Sequence, residues 1–307
     1  MARVAVLLGG KSPERPVSLS TGAGAVAALK RLGHEVVEID PQESDWLAKL
    51  QAAKVDAAFN VLHGTYGEDG RIQGVLEYLN IPYTHSGVLA SALAMDKDKA
   101  KAIFRQAGIP VAEGKLMDRL EAAKAHPMAL PYVVKPNDQG SSIGVFIVRE
   151  GANRPPEQLL DPDWTYGDQV LVEEFIGGKE LTVAVLGEKT GPRALAVTEI
   201  IPAGEWYDFN AKYAAGGSTH QLPADIPDEV AKKLMRYAEE AHVALGCRGL
   251  TRSDFKYDPK RNKIILIEVN NQPGMTPTSL APEQAAHLGM SYDQLVAWML
   301  EDASCPR

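Results

Sequence analysis

An α/β fold opening on a parallel βαβ sheet is predicted from three observations. Short apolar runs at residues 4–8, 36–39 and 57–62 alternate with helical patterns at 17–32 and 71–79. Glycine-rich turns, Gly9-Gly10 and the segment from His63 to Gly70, follow the first and third runs, where ligands gather in open parallel sheets. Beyond residue 130 the pattern becomes richer in β-branched extended runs, which marks a second, more β-rich module.

In chain order, a charged helix is expected from Asp96 to about Ala107, stopped by Gly108 and Pro110. Strands are expected at 132–136 and 145–148. The stretch 151–166, rich in Pro, Asp and Gly, reads as a surface excursion. Further strands are expected at 170–173, 181–186 and 193–201. The long polar segment 202–223 reads as a lid or binding loop, because structureless connections of that length are seldom idle. A helix at 228–245 carries Val230, Leu234, Ala241 and Leu245 on one stripe. Two strands, 250–257 and 263–270, then precede a helical C-terminus.

The 307 residues are enough for about two domains with self-sufficient cores, and 45% hydrophobic with 23% charged residues is an ordinary globular balance. Lys plus Arg number 32 against 40 Asp plus Glu, a net charge of -8, which argues against nucleic acid as a partner. No window approaches the ~20 apolar residues of a membrane span, and residues 4–8 are too short a run for a signal peptide, so a cytoplasmic chain is expected. Cys247 and Cys305 lie far apart without metal-ligand spacing, which leaves them as a packed thiol and a tail thiol.

Gly10-Lys11-Ser12 imitates the end of a phosphate-binding P-loop, but Ala5 stands where that motif needs glycine, and Pro13 and Pro16 are expected to delay the helix. What remains is a turn in which Ser12, Glu14, Arg15 and Ser18 lie near a helix N-terminus. Either Glu14 holds a substrate ammonium there, or the group is a cap with solvated charges.

The strongest local pattern is a β-hairpin formed by 251–256 and 264–270. A turn centred on Arg261 sets Asp254 opposite Glu268 and Arg252 opposite Asn270. Two facing carboxylates destabilise a ladder unless a cation or proton lies between them. The hard oxygen set Asp254, Glu268 and Asn270 selects Mg2+ or Mn2+, which commonly completes its shell with nucleotide phosphate. The competing reading is a surface hairpin whose carboxylates pair with Lys256 or Lys263. Lys135 on a strand, followed by the loop Asn137 to Gly144 with Ser141 and Ser142, suits a phosphate, although such loops are also plain turns. The segment 171–176, with Glu173, Glu174 and Ile176, and then Glu180, offers acceptors beside an apolar wall, as a nucleoside or any sheet edge would require.

Taken together, Leu7 to Ser12 with Glu14-Arg15, Leu62-His63-Gly64 with Gly67 to Gly70, Met95-Asp96-Lys97, Val134-Lys135-Pro136, Gly140 to Gly144, Ala211-Lys212-Tyr213 and Glu268 to Thr276 resemble the D-alanyl-D-alanine ligases, ATP-grasp enzymes, in order across nearly the whole chain. The resemblance implies an ATP-grasp fold with three units: 1–95, an N-terminal α/β domain; 96–178, a central subdomain; and 179–307, a C-terminal catalytic domain with the lid loop 202–223. It implies ligation of two D-alanines through a D-alanyl phosphate, with ATP and two Mg2+ ions, Mn2+ being possible, for peptidoglycan precursor synthesis. A homodimer is also implied.

The resemblance assigns roles residue by residue. Asp254, Glu268 and Asn270 hold the metal; Lys97 and Lys135 cradle phosphate oxygens, with Ser142 in the loop. Glu173 corresponds to an adenine contact and Glu180 to a ribose contact, with Glu174 and Ile176 beside them. Arg252 and the Gly274 backbone stabilise the oxyanion. Glu14 binds the first D-alanine's ammonium, His63 contacts the same substrate or is a satisfied structural histidine, and Ser279 with the Leu280 backbone holds the second carboxylate. Lys212 and Tyr213 belong to the lid, and Tyr213, Ser141 and Glu14 form a hydrogen-bonded triad. Pro16 and Asn271 depart from the family's usual residues. Other readings are a D-alanine:D-lactate ligase, another ATP-grasp carboxylate-amine ligase, and a non-catalytic nucleotide-binding module.

Overall fold

The computed structural model describes residues 1–204, 216–276 and 278–306. Strand β1 (Arg3–Leu7) lies between β2 (Glu35–Ile39) and β3 (Ala57–Asn60), all parallel. A central parallel strand is covered on both faces, and its alternate residues serve two cores. Val4 and Val6 pack with Ala25 and Leu29 of helix α1 (Arg15–Arg31), whereas Ala5 and Leu7 pack with Leu50 of α2 (Trp46–Ala53) and Leu76 of α3 (Arg71–Tyr78). Pro16 does not delay α1; it sits in the first turn, where a missing N–H costs nothing.

Helices α4 (Val88–Met95) and α5 (Lys97–Gln106) follow, with Asp96 capping α5 by accepting from Lys99 N–H at 3.1 Å. The second sheet is antiparallel, in the order β4 (Gly114–Asp118), β7 (Gln169–Glu174), β5 (Tyr132–Pro136), β6 (Phe146–Val148). Helix α6 (Arg119–Lys124) buries Ala122 against it, beside Leu159 of a short 3-10 helix in the expected surface excursion.

The third sheet runs β10 (Ser218–Gln221), β9 (Gly191–Pro202), β8 (Lys179–Glu188), β11 (Leu250–Asp258), β12 (Lys263–Asn270), antiparallel throughout. The segment 202–223 is therefore not wholly structureless: Thr219 pairs with Ile201, extending the sheet by a strand. One face is covered by α7 (Asp228–Ala244), through Val230, Leu234, Ala238 and Ala241, and by Ala100 and Phe104 of α5. Helix α5 was expected to open the central module, but its apolar stripe finds the third sheet, and Leu266 N–H bonds Pro110 O at 2.8 Å. On the other face, Ala184, Leu186 and Leu250 share a core with Ala281 and Ala285 of α8 (Leu280–His287). The same core includes Leu295, Val296 and Met299 of α9 (Tyr292–Asp302), so the C-terminal helix returns to the N-terminal sheet. Among the described residues no helix is long and apolar enough to cross a membrane.

Gly178 lies between β7 and β8, where the chain passes from the second sheet to the third. Its φ of +99° excludes most side chains, and an added Cβ would lie 2.2 Å from Tyr257 O. Gly178→Ala is expected to lower the unfolding free energy by about 2 kcal/mol or more, measured by urea denaturation; an unchanged midpoint would show that this crossing is not tight.

Candidate active site

The floor of the site is the β11–β12 pair. Arg252 stands opposite Asn270 and Asp254 opposite Glu268, as the hairpin reading requires, but the turn is not centred on Arg261. Asp258 pairs with Lys263 and Phe255 with Leu266, so a bulge after Asp254 corrects the register. The extra residue changes which side chains share a face. Ile264, Leu266 and Val269 enter the core, while Ile265, Ile267 and Glu268 all line the cleft. Strict alternation would have sent Ile267 and Glu268 to opposite sides. Asp254 accepts from Arg252 Nε (2.9 Å) and Nη2 (2.8 Å), Asn270 Nδ2 (2.9 Å) and Thr182 Oγ1 (2.7 Å). Lys97 Nζ lies 3.7 Å from Glu268. Lys256 and Lys263 are instead paired with Glu180 (2.8 Å) and Glu174 (2.6 Å), which removes the surface-hairpin alternative.

A cleft of about 270 Å3 lies over this floor, between the second and third sheets. Val133, Ile147, Phe175, Ile176, Ile265 and Ile267 form apolar walls, with Lys97, Lys135 and Ser142 among its polar lining. That combination suits a flat apolar ring joined to an anion. Glu173 lines the cleft but its carboxylate is not open: it is ion-paired with Lys135, and with Lys101 at 2.8 Å. Burial raises the Glu173 pKa, but the two ammoniums outweigh it and hold the group at about 2. The side chains of Glu173, Glu174 and Glu180 were expected as open acceptors; each is matched by a lysine.

The loop 137–144 closes one end of the cleft. Lys97 Nζ donates to Gln139 O at 2.5 Å, and Asn137 ties the loop to α5 by donating to Asp96 at 2.8 Å. Ser141 and Ser142 adopt left-handed backbone (φ 53° and 59°), which turns Ser141 Oγ to donate to Glu14. A Cβ on Gly140 would lie 2.8 Å from Glu14 Oε1, so a side chain there would displace that carboxylate.

A second cavity of about 450 Å3 is lined by Glu14, His63, Glu68, Ser141, Arg252, Asn270, Gly274, Ser279 and Leu280, with His220 and Gln272. Glu14 precedes α1, and Ser12 Oγ accepts its N–H at 3.0 Å while donating to His63 O at 2.6 Å. Burial, then the charge of Arg252, pushes His63 down to about 4, so the ring is neutral near pH 7. Gln272 donates to Leu62 O and accepts from Asn60 Nδ2 at 2.9 Å, fixing the loop after β12 against the N-terminal sheet. Ser279 accepts from Thr276 N–H at 3.1 Å and lies just before α8, whose N-terminal end favours negative charge.

Every described residue expected in the site lines one of these two cavities; Lys212 and Tyr213 lie outside the described residues. Sequence reasoning missed three. Glu68, in the loop already quoted as a motif, is pushed well above the usual carboxylate range by burial and by the charge of Glu14. His220, on β10, meets Glu283 at 2.9 Å, and Lys101 carries no motif of its own. Among the described residues no group of three or more His, Cys, Asp or Glu side chains is placed to hold a metal. The oxygen set on the floor is two carboxylates and an amide, which is chemically hard and fits Mg2+ or Mn2+.

Sequence comparison matches residues 103–301 to the D-ala D-ala ligase C-terminus and 41–86 to the D-ala D-ala ligase N-terminus. A D-alanine-D-alanine ligase of Caulobacter vibrioides is 60% identical over 300 residues, covering 98% of this chain and 92% of the relative. One of Methylocella silvestris is 57% identical, covering 99% of each chain. The crystal structure of the Bacillus anthracis D-alanine-D-alanine ligase complexed with ATP superposes with a TM-score of 0.79 at 30% identity, covering 98% of this chain and 97% of that one.

His242, beneath the third sheet, is also pushed down to about 4 by burial. Both His63 and His242 stay neutral when folded but bind a proton at about 6.5 when unfolded. The unfolded state therefore takes up more protons as pH falls from 6.5 to 4, so stability is complete above 6.5 and lost across that window. The loss is roughly 3 kcal/mol per histidine. Thermal unfolding followed from pH 7 to 4 should show it, and His242→Gln should flatten part of the slope.

Proposed function

The chain belongs to the D-alanyl-D-alanine ligase family, and we propose that its two cavities divide that reaction between nucleotide and amino acids. The protein ligates two D-alanines at the expense of ATP, supplying a dipeptide for peptidoglycan precursors. The observation that supports the division is strand β11. Asp254 lines the nucleotide cleft and Arg252, two residues earlier on the same face, lines the second cavity. One short strand thus joins phosphate chemistry to acyl chemistry.

In this reading ATP lies between the units 96–178 and 179–307, with the D-alanines in the second cavity, between units 1–95 and 179–307. A carboxylate oxygen of the first D-alanine attacks the γ-phosphorus, the bond to ADP breaks, and a D-alanyl phosphate forms. The second D-alanine's amine then attacks the acyl carbon, loses a proton, and expels phosphate. Lys97 and Lys135 offer positive charge to the phosphate oxygens, with Ser142 as a further donor. Glu14, held by Ser141, takes the first substrate's ammonium. Arg252 and the Gly274 N–H meet the oxyanion, and Ser279 with the Leu280 N–H meets the second carboxylate.

Mg2+ on Asp254, Glu268 and Asn270 would neutralise charge on the triphosphate when bound. The donors they offer a cation are oxygens; Arg252 offsets the charge of Asp254 beforehand, and Asn270 donates a hydrogen bond to it. The roles expected of Glu173, Glu174, Ile176 and Glu180 beside the nucleoside, and of His63 beside the first D-alanine, belong to the same proposal. Those of Lys212 and Tyr213 in the 202–223 lid rest on the resemblance alone, as do the homodimer and the cytoplasmic location.

ADP release should require D-alanine and Mg2+ together and should fail with L-alanine; D-lactate offered as the acceptor tests for the ester-forming relatives. No ADP with D-alanine and Mg2+ would overturn the assignment, and full activity in excess chelator would overturn the metal set. Arg252→Met should lower kcat by about 10²–10³ with a smaller change in the ATP KM, because the guanidinium acts on charge that develops during acyl transfer.

A further inference from the structure

We propose that Lys101, which lies beneath the nucleotide cleft, is a positioning residue that sets how strongly Lys135 is offered to nucleotide phosphate. It acts by sharing the carboxylate of Glu173. The inference rests on the reading of this cleft as the ATP site.

Lys101 follows Lys97 by one helical turn on α5, so the two ammoniums share a face at different depths. Lys97 reaches the cleft, whereas Lys101 is 2% exposed. Its Nζ lies 2.8 Å from one oxygen of Glu173, and Lys135 takes the other oxygen. Glu173 cannot drift between them. Its strand is central, with Gly114 opposite on β4 and Val133 opposite on β5. A Cβ on Gly114 would lie 2.7 Å from the Glu173 Cβ, so the strands are in close contact there.

A lysine completely removed from water is unfavourable unless it is paired. Here one carboxylate serves two lysines, so the buried cluster keeps an excess positive charge. The only member of the cluster besides Glu173 that lines the cleft is Lys135. Without Lys101, the pair Lys135–Glu173 would be neutral, and the carboxylate would hold Lys135 with its full charge. With Lys101 present, part of that charge is spent elsewhere and Lys135 remains attractive to an anion.

Three charged groups act on Lys101: Glu173 from β7, Lys135 from β5 and Arg105 from its own helix. Burial lowers its pKa most, Glu173 opposes, and Lys135 and Arg105 add to the fall, bringing it to about 8. The arrangement therefore loses its second cation just above neutral pH, while Glu173 stays ionised.

The test is the ATP KM of the full-length protein from pH 7 to pH 9, at saturating D-alanine and Mg2+, with kcat followed separately. The native KM should rise about tenfold across that range. Lys101→Met should show the raised KM already at pH 7 and no further rise, with kcat within about twofold of native. Lys101→Arg, which keeps its charge at every pH used, should hold the native pH 7 KM and lose the alkaline rise. A flat native KM overturns the inference, and so does a folded Lys101→Met with native KM. If neither variant folds, the native profile decides. A native protein that turns over no ATP overturns the functional reading and this inference together, whereas a turning-over enzyme with a pH-flat KM overturns this one alone.

Discussion

Two carboxylates face each other across neighbouring strands at the centre of this molecule, and the surrounding structure is arranged around that repulsion. Asp254 and Glu268 occupy opposite positions on β11 and β12, where like charges weaken a sheet. Asp254 is relieved by a forked pair with Arg252 and by bonds from Asn270 and Thr182, and Lys97 approaches Glu268. None of these partners is local in the same way. Arg252 comes from the same strand, Asn270 from β12 on one side, Thr182 from β8 on the other, and Lys97 from the start of a helix that packs on the third sheet. The carboxylates therefore stay together only when α5 and the third sheet are assembled.

The same assembly is held by buried amides, of which Gln284 and Gln272 bond through both the oxygen and the nitrogen. Gln284 of α8 accepts from Ala184 N–H at 2.8 Å and donates to Thr182 O at 3.1 Å, tying the helix to the strand beside Asp254. Asn271 donates to Ser91 of α4 at 2.9 Å, and Gln272 bridges Asn60 and Leu62 of the N-terminal sheet. A buried amide left half satisfied would be costly, so these links specify one arrangement of the loop 271–276. That loop carries Gly274 and leads to Ser279, and in the proposed reaction it is where the acyl carbon and second carboxylate lie.

Carboxylates in the two cavities are also driven to different behaviour by their surroundings. Glu173, between two lysines, is held ionised, while Glu68, buried near Glu14, is pushed toward its protonated form. His63 is kept neutral by burial and, less strongly, by the charge of Arg252. Groups of one chemical type are thus set in different protonation states by burial and by the charges beside them.

Much of this was legible in the residues. The βαβ rhythm, the facing of Asp254 and Glu268, and the gathering of glycine and serine before Ser142 follow from period, spacing and residue chemistry, which are local. The short helices at 46–53, 88–95 and 119–124 and the strand at 114–118 were not, since such short elements draw their stability from tertiary packing more than from propensity. The sequence by itself determined which side chains were available for the cleft and in what order along the chain. Only the tertiary structure decided that a bulge would bring Ile267 and Glu268 to one face, that α5 would lie on the third sheet, and that Lys101 would meet Glu173. A one-residue offset in a ladder and the pairing of charges from distant segments depend on how sheets and helices pack, and no local pattern encodes them.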